Sequence, residues 1–196
     1  MSSDDPITIK LVAVGDGGIG KTCLLITFAS NTFPEDYVPK VFDYYVVNVT
    51  AGDKQIELGL CDTDFGYNSE DREYNIRRCI ANASVLLICF SVTNPASFQN
   101  VQEEWLPEVS RTCPDVPLIL VGTKLDTRTD EGVLSRLRAQ QQEPVNPKEG
   151  QALARKFNAF KYIECSAKTS ENMKMVFDEA IKAVLSRKKK GHCTLL

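Results

Sequence analysis

Eight consecutive residues, Gly15-Asp16-Gly17-Gly18-Ile19-Gly20-Lys21-Thr22, spell G-x-x-x-x-G-K-T, and the chemistry of that pattern is phosphate binding. Glycines open backbone conformations closed to residues with a Cβ. Successive amide N–H groups then turn inward and cradle phosphate oxygens at a helix N-terminus. Lys21 supplies a cation for the outer phosphates, and the Thr22 hydroxyl is a ligand for Mg²⁺ beside them. A glycine-rich turn without a ligand is the plain alternative. The context argues against it, because an apolar β-branched run, Ile7 to Val14, precedes the loop and an apolar helical run, Cys23 to Ala29, follows it. The loop alone predicts a nucleoside triphosphate without specifying the base.

A second group lies about a hundred residues on. Thr123-Lys124-Leu125-Asp126 follows an apolar run, at the strand end where α/β proteins place their ligands. A carboxylate at Asp126 accepts two parallel hydrogen bonds from the N1–H and 2-amino group of guanine, a donor pair that adenine lacks. The aliphatic stem of Lys124 can cover the base. A lone K-x-D is also an ordinary exposed loop charge. Its distance from the phosphate loop, and the Ser166-Ala167-Lys168 that comes later, favour the guanine reading.

These residues need elements to hold them. Tyr44–Val49 and Gln55–Cys61 alternate about a turn at Ala51-Gly52-Asp53, which predicts a hairpin. Val85–Phe90 and Pro117–Gly122 are continuous apolar runs, as in central parallel strands, and Phe160–Glu164 completes the set. Between them, helical patterning covers a segment ending near Asn82, then Ala96–Arg111, Thr129–Gln142, Lys148–Phe157 and Ser170–Ser186. Two polar stretches, Ser30–Lys40 and Thr63–Arg72, read as long loops beside the phosphate site. Strands alternating with helices predict one α/β domain over 7–186, with a six-stranded, mostly parallel sheet and helices on both faces. Residues 1–6 and 187–196 are expected to flank it.

The composition is that of an ordinary soluble globular chain, 43% hydrophobic and 25% charged in 196 residues. The polar N-terminus does not read as a signal peptide, and Ser2 lacks the glycine that N-myristoylation needs. Seven scattered cysteines and one histidine make a zinc site improbable. All but Cys193 read as small buried hydrophobes in a reducing compartment. The net charge of −3 is uneven: from Lys182 onward there are five basic residues and no acidic one. An acidic body with a basic end argues against nucleic acid and for an anionic membrane surface. Cys193-Thr194-Leu195-Leu196 is a C-a-a-X end whose terminal leucine favours geranylgeranylation of Cys193. Arg187–Lys190 just upstream supplies the second signal that stable anchoring requires.

The segments GDGGIGKTCL, YVPKVFDYY, LICFSV, PASF, LVGTKLDTR, YIECSAKT, VFDEAI and CTLL, with a W-x-PEV motif, together resemble small GTPases of the Ras superfamily, specifically the Rho/Rac family. The resemblance spans nearly the whole chain, and the helical stretch at about 130–142 is similar to the insert helix of Rho proteins. It implies a GTP- and GDP-binding switch with Mg²⁺ as cofactor. By resemblance, Gly18, Ile19, Gly20, Lys21, Thr22 and Cys23 hold phosphates. Phe33, Thr123, Lys124, Asp126, Ser166, Ala167 and Lys168 surround the guanosine. Thr22 ligates Mg²⁺, with Asp62 acting through water. Exchange factors, GTPase-activating proteins, GDI and cytoskeletal effectors are the implied partners, and the cytoplasmic face of a membrane is the implied location.

Two positions depart from the family pattern. The first switch of the family carries Y-x-P-T, whose threonine ligates Mg²⁺. Here the residue is Lys40, and an ammonium cannot ligate a cation. The second switch begins D-T-A-G-Q-E in the family, with the glutamine orienting the attacking water. Here it reads Asp62-Thr63-Asp64-Phe65-Gly66-Tyr67-Asn68-Ser69-Glu70, with no glutamine. Gly66 and Asn68 are the remaining catalytic candidates. Asp64 adds negative charge near the third phosphate, and its charge is opposite to that of Lys40, so the two are expected to pair when GDP is bound. The expectation is weak intrinsic hydrolysis. The alternative is a non-hydrolysing nucleotide-binding module regulated by exchange or localisation.

Overall fold

The computed structural model describes residues 6–35, 44–63 and 72–191. Strands β1 (Ile7–Val14), β2 (Tyr44–Ala51), β3 (Lys54–Asp62), β4 (Val85–Ser91), β5 (Leu118–Thr123) and β6 (Lys161–Glu164) form one sheet in the order β2-β3-β1-β4-β5-β6. Only β2 pairs antiparallel, with β3; every other pair is parallel. This is the α/β architecture expected from the sequence, with the hairpin at one edge.

The alternation of side chains along β1 explains the two layers. Ile9, Leu11 and Ala13 pack on one face, with Leu24 and Leu25 of α1 (Lys21–Ser30) and Val176, Phe177 and Ala180 of α7 (Met173–Gly191). The Phe28 and Phe177 rings stack there. Val12 and Val14 face the other way, toward Ile76 and Ile80 of α2 (Arg72–Ala81) and Leu153 of α6 (Pro147–Lys156). β4 has helices on both faces and is buried along its whole length. Such burial on both faces removes the polar alternation from its sequence.

The helices differ from the sequence reading at three places. The stretch read as one helix over Ala96–Arg111 is α3 (Pro95–Asn100), a π-helical turn (Val101–Trp105) and α4 (Leu106–Thr112). The Leu106 N–H bonds to the Val101 carbonyl five residues back. This wider turn lies immediately before Pro107, which lacks the N–H that an unbroken α-helix would use. The expected insert helix is shorter: a 3-10 turn at Leu125–Thr129, then α5 (Glu131–Ala139), capped by the Asp130 carboxylate on the Val133 N–H. The last helix starts later than Ser170 and runs on through the basic residues to Gly191, so this part of the expected flank continues the helix. Lys40, Asp64, Gly66, Asn68 and Cys193 lie outside the described residues.

Candidate functional site

The loop between β1 and α1 is shaped by its glycines. Gly15 has φ +141°, and a Cβ there would lie 2.3 Å from the Cys89 carbonyl oxygen, so no side chain fits. Gly20 has φ +99° and caps α1 in the left-handed region, which favours glycine. The Lys21 Nζ donates to the carbonyls of Gly15 at 3.0 Å and Asp16 at 2.6 Å, so the buried ammonium reaches back across the loop. The Thr22 hydroxyl donates to the Asp62 carboxylate, and both side chains are buried. Next to Asp62, the Thr63 hydroxyl donates to the Ala13 carbonyl at 2.8 Å, fastening the end of β3 to β1.

The segments carrying Asp126 and Ser166 meet this loop from the far half of the chain. The Lys124 backbone has φ +57°, and its Nζ donates to the Gly18 carbonyl at 2.6 Å. Its stem therefore passes over Gly20, where a Cβ would sit 3.5 Å from Lys124 Cε. The Thr123 hydroxyl lies 2.5 Å from the Ile19 carbonyl oxygen and 2.9 Å from that of Phe90. The fully buried Ser166 hydroxyl donates to Asp126 Oδ1 at 2.6 Å, and the Thr169 N–H donates to that hydroxyl. This orients the Asp126 carboxylate. The Leu125 N–H bonds to the Cys165 carbonyl at 3.0 Å, joining the two segments.

A cavity of about 130 Å³ opens where they converge. Gly20 and Cys23 of the phosphate-loop segment line it together with Phe33, Asp126, Ala167 and Lys168. Lys124 and Thr123 also contribute. The sequence-predicted residues from 18 to 23 thus adjoin those from 123 to 126 and 166 to 168. Thr127 and Cys165 belong to the same wall and were not singled out from the sequence. Their spacing carries no chemical signature; only the parallel pairing of β5 with β6 brings them there. Burial pushes the Cys165 thiol up to about 12 and raises that of Cys23.

The donor set at Thr22 and Asp62, one hydroxyl and one carboxylate side by side, consists of hard oxygens and fits Mg²⁺. Among the described residues no cluster of three or more His, Cys, Asp or Glu side chains is placed to hold a metal. An ion here would therefore draw its other ligands from water and phosphate, as Mg²⁺ commonly does.

A phosphate loop at the end of a parallel strand, joined to a base-sized cavity with an oriented carboxylate, defines a P-loop nucleotide-binding protein. Residues 10–186 match the model of the Ras family. The chain is also 52% identical over 198 residues to the Rho-related protein racC of Entamoeba histolytica, covering 99% of this chain and 100% of that protein. The chain belongs to the Rho/Rac small GTPases of the Ras family.

Three cysteines expected to be buried, Cys23, Cys61 and Cys79, are only half-buried. Cys61 on β3 and Cys79 on α2 are half-buried, with sulfurs 3.7 Å apart. The Cys61 thiol donates to Cys79 and lowers it to about 6, aided by Lys10 and Arg78. Cys61 itself is raised, by that same bond and by burial.

Proposed function

We propose that this chain is a Rho-type signalling switch that binds GDP and GTP with Mg²⁺ and hydrolyses GTP slowly. One observation carries the reading: a single cavity is lined both by Gly20 and Cys23 of the phosphate-loop segment and by Asp126, whose carboxylate Ser166 orients. Asp126 accepts from the guanine N1–H and 2-amino group, while Lys124, Phe33 and Ala167 enclose the base. The amides of residues 18–23 and the Lys21 ammonium hold the phosphates. Thr22 would hold Mg²⁺, with Asp62 acting through water, and the ion would neutralise charge on the phosphate oxygens. The test is equilibrium binding of GDP and ADP to the purified chain. Retention of GDP with ADP weaker by orders of magnitude is expected, and equal affinity overturns the reading.

Slow hydrolysis follows from Lys40 and from the absence of glutamine between Asp62 and Arg72. The same absence favours a second reading, a non-hydrolysing binding module. Single-turnover GTP hydrolysis separates the two, and a rate like that of ordinary Rho proteins overturns both. Exchange factors, activating proteins, GDI and cytoskeletal effectors, with actin as the downstream target, complete the proposal by family membership. Membrane attachment through geranylgeranyl-Cys193 and Arg187–Lys190 is part of it. A Cys193→Ser chain should leave the membrane fraction, and its persistence there contradicts the lipid anchor.

A further inference from the structure

The second residue of the phosphate loop is tied to a helix remote from the nucleotide. Asp16 Oδ2 accepts from Asn100 Nδ2 at 2.8 Å, and Asp16 Oδ1 accepts from Trp105 Nε1 at 2.8 Å. Asn100 ends α3 and Trp105 ends the π-helical turn, so the two donors are five residues apart. In an α-helix, five residues sweep about 500°, which leaves the side chains about 140° apart on different faces. A turn whose hydrogen bond spans five residues instead brings them nearly over one another. The irregular turn is thus what lets one helix grip both oxygens of one carboxylate.

The grip passes inward. The Asp16 main-chain carbonyl is the closer of the two acceptors of the Lys21 ammonium. Next to it, Gly15 is wedged against the Cys89 carbonyl. With both carboxylate oxygens fixed, the peptide that carries the Lys21 acceptor loses its remaining freedom to rotate. Trp105 is 9% exposed and packs among Val101, Leu106 and Val109, so the donor end of the clamp is rigid.

We propose that Asn100 and Trp105 are positioning residues for nucleotide retention. Acting through Asp16, they hold the phosphate loop and Lys21 in the phosphate-binding arrangement. The inference rests on the phosphate-site reading above. It is tested by the release rate of a fluorescent GDP analogue from the full-length chain, with thermal melting in parallel. Trp105→Phe keeps an aromatic ring and removes the N–H, and Asn100→Ala removes the other donor. Each should speed release about tenfold, the effect of losing one hydrogen bond to a charged group. In an Asp16→Ala background, Trp105→Phe should add less than twofold, because its acceptor is already gone. Trp105 is the sole tryptophan, so its emission should shift on GDP binding in the wild type and stay fixed in Asp16→Ala.

Wild-type release rates in both single variants overturn the clamp. So does an equal Trp105→Phe effect with and without Asp16, since the indole would then act by packing alone. A wild-type chain that retains no guanine nucleotide removes the functional reading and the clamp's role with it. Retention by the wild type with unaltered variants removes the clamp only.

Discussion

Asp126 and Cys79 show how much one side chain's surroundings decide. Ser166 fixes the Asp126 carboxylate, which in the proposed function is what equips it to read the base. An oriented acceptor that takes two donors is worth about 1–3 kcal/mol of discrimination. Asp126→Ala should therefore weaken GDP binding roughly 5- to 150-fold while leaving ADP binding unchanged, measured by titration calorimetry. Cys79 gives a pH signature. A thiol lowered to about 6 is mostly thiolate at neutral pH, and the thiolate is the nucleophile. Iodoacetamide at pH 7 should label Cys79 ahead of Cys89 and Cys165, whose thiols burial raises. The labelling rate should fall as pH drops through about 6. The depressed Cys79 value contributes stabilisation that grows as pH rises from about 6 towards the ordinary thiol value, above which the raised Cys61 thiol offsets it. Cys61→Ala removes the donor and should move the profile toward that of a free thiol. Peptide mapping across pH 5 to 9 checks both, and a wild-type profile centred near 8.5 contradicts the pairing.

At the scale of elements, α6 and the sheet edge it covers carry testable energetics. Asn146 caps α6, and Glu149 returns to the Asn146 N–H at 2.8 Å, closing a capping box. Asn146→Ala should cost about 1 kcal/mol, a melting shift of roughly 2–4 °C for a chain of this size. One turn further along, a Cβ on Gly150 would lie 2.2 Å from the Tyr162 ring. Tyr162 is itself held by a 2.6 Å bond from its hydroxyl to Glu164, and Glu164 pairs with Arg128. The ring therefore has little room to yield. Gly150→Ala, a change that usually favours a helix, should here destabilise by about 1–3 kcal/mol. Urea unfolding checks the sign.

The whole molecule is a sheet whose strand ends collect the site from residues more than a hundred positions apart. A ligand that bridges such segments binds only the folded chain, so stability should track its concentration. At a GDP concentration one hundred times its dissociation constant, the gain is about 2.7 kcal/mol. That is roughly a 5–11 °C rise in melting temperature, with none from ADP. An equal rise with both nucleotides contradicts guanine selection.

What the sequence by itself determined is whatever rests on local spacing and residue type. The phosphate-loop pattern is contiguous, so its glycines, lysine and threonine are read straight from their order in the chain. The strands are apolar runs of the right length, and the hairpin is marked by its turn. Strand alternation was enough to give a mostly parallel sheet and to place Asp126 at a strand end. Tertiary structure decided what depends on contacts between distant segments. No pattern in Asn94–Thr112 marks a π-helical turn, because the energy that favours it includes two hydrogen bonds to Asp16, more than eighty residues away. Cys61 and Cys79 look like any other scattered cysteines until β3 and α2 set their sulfurs in contact. Thr127 and Cys165 became cavity wall only when β5 and β6 came side by side. Periodicity records which face of an element is buried, and three-dimensional packing alone records what that face meets.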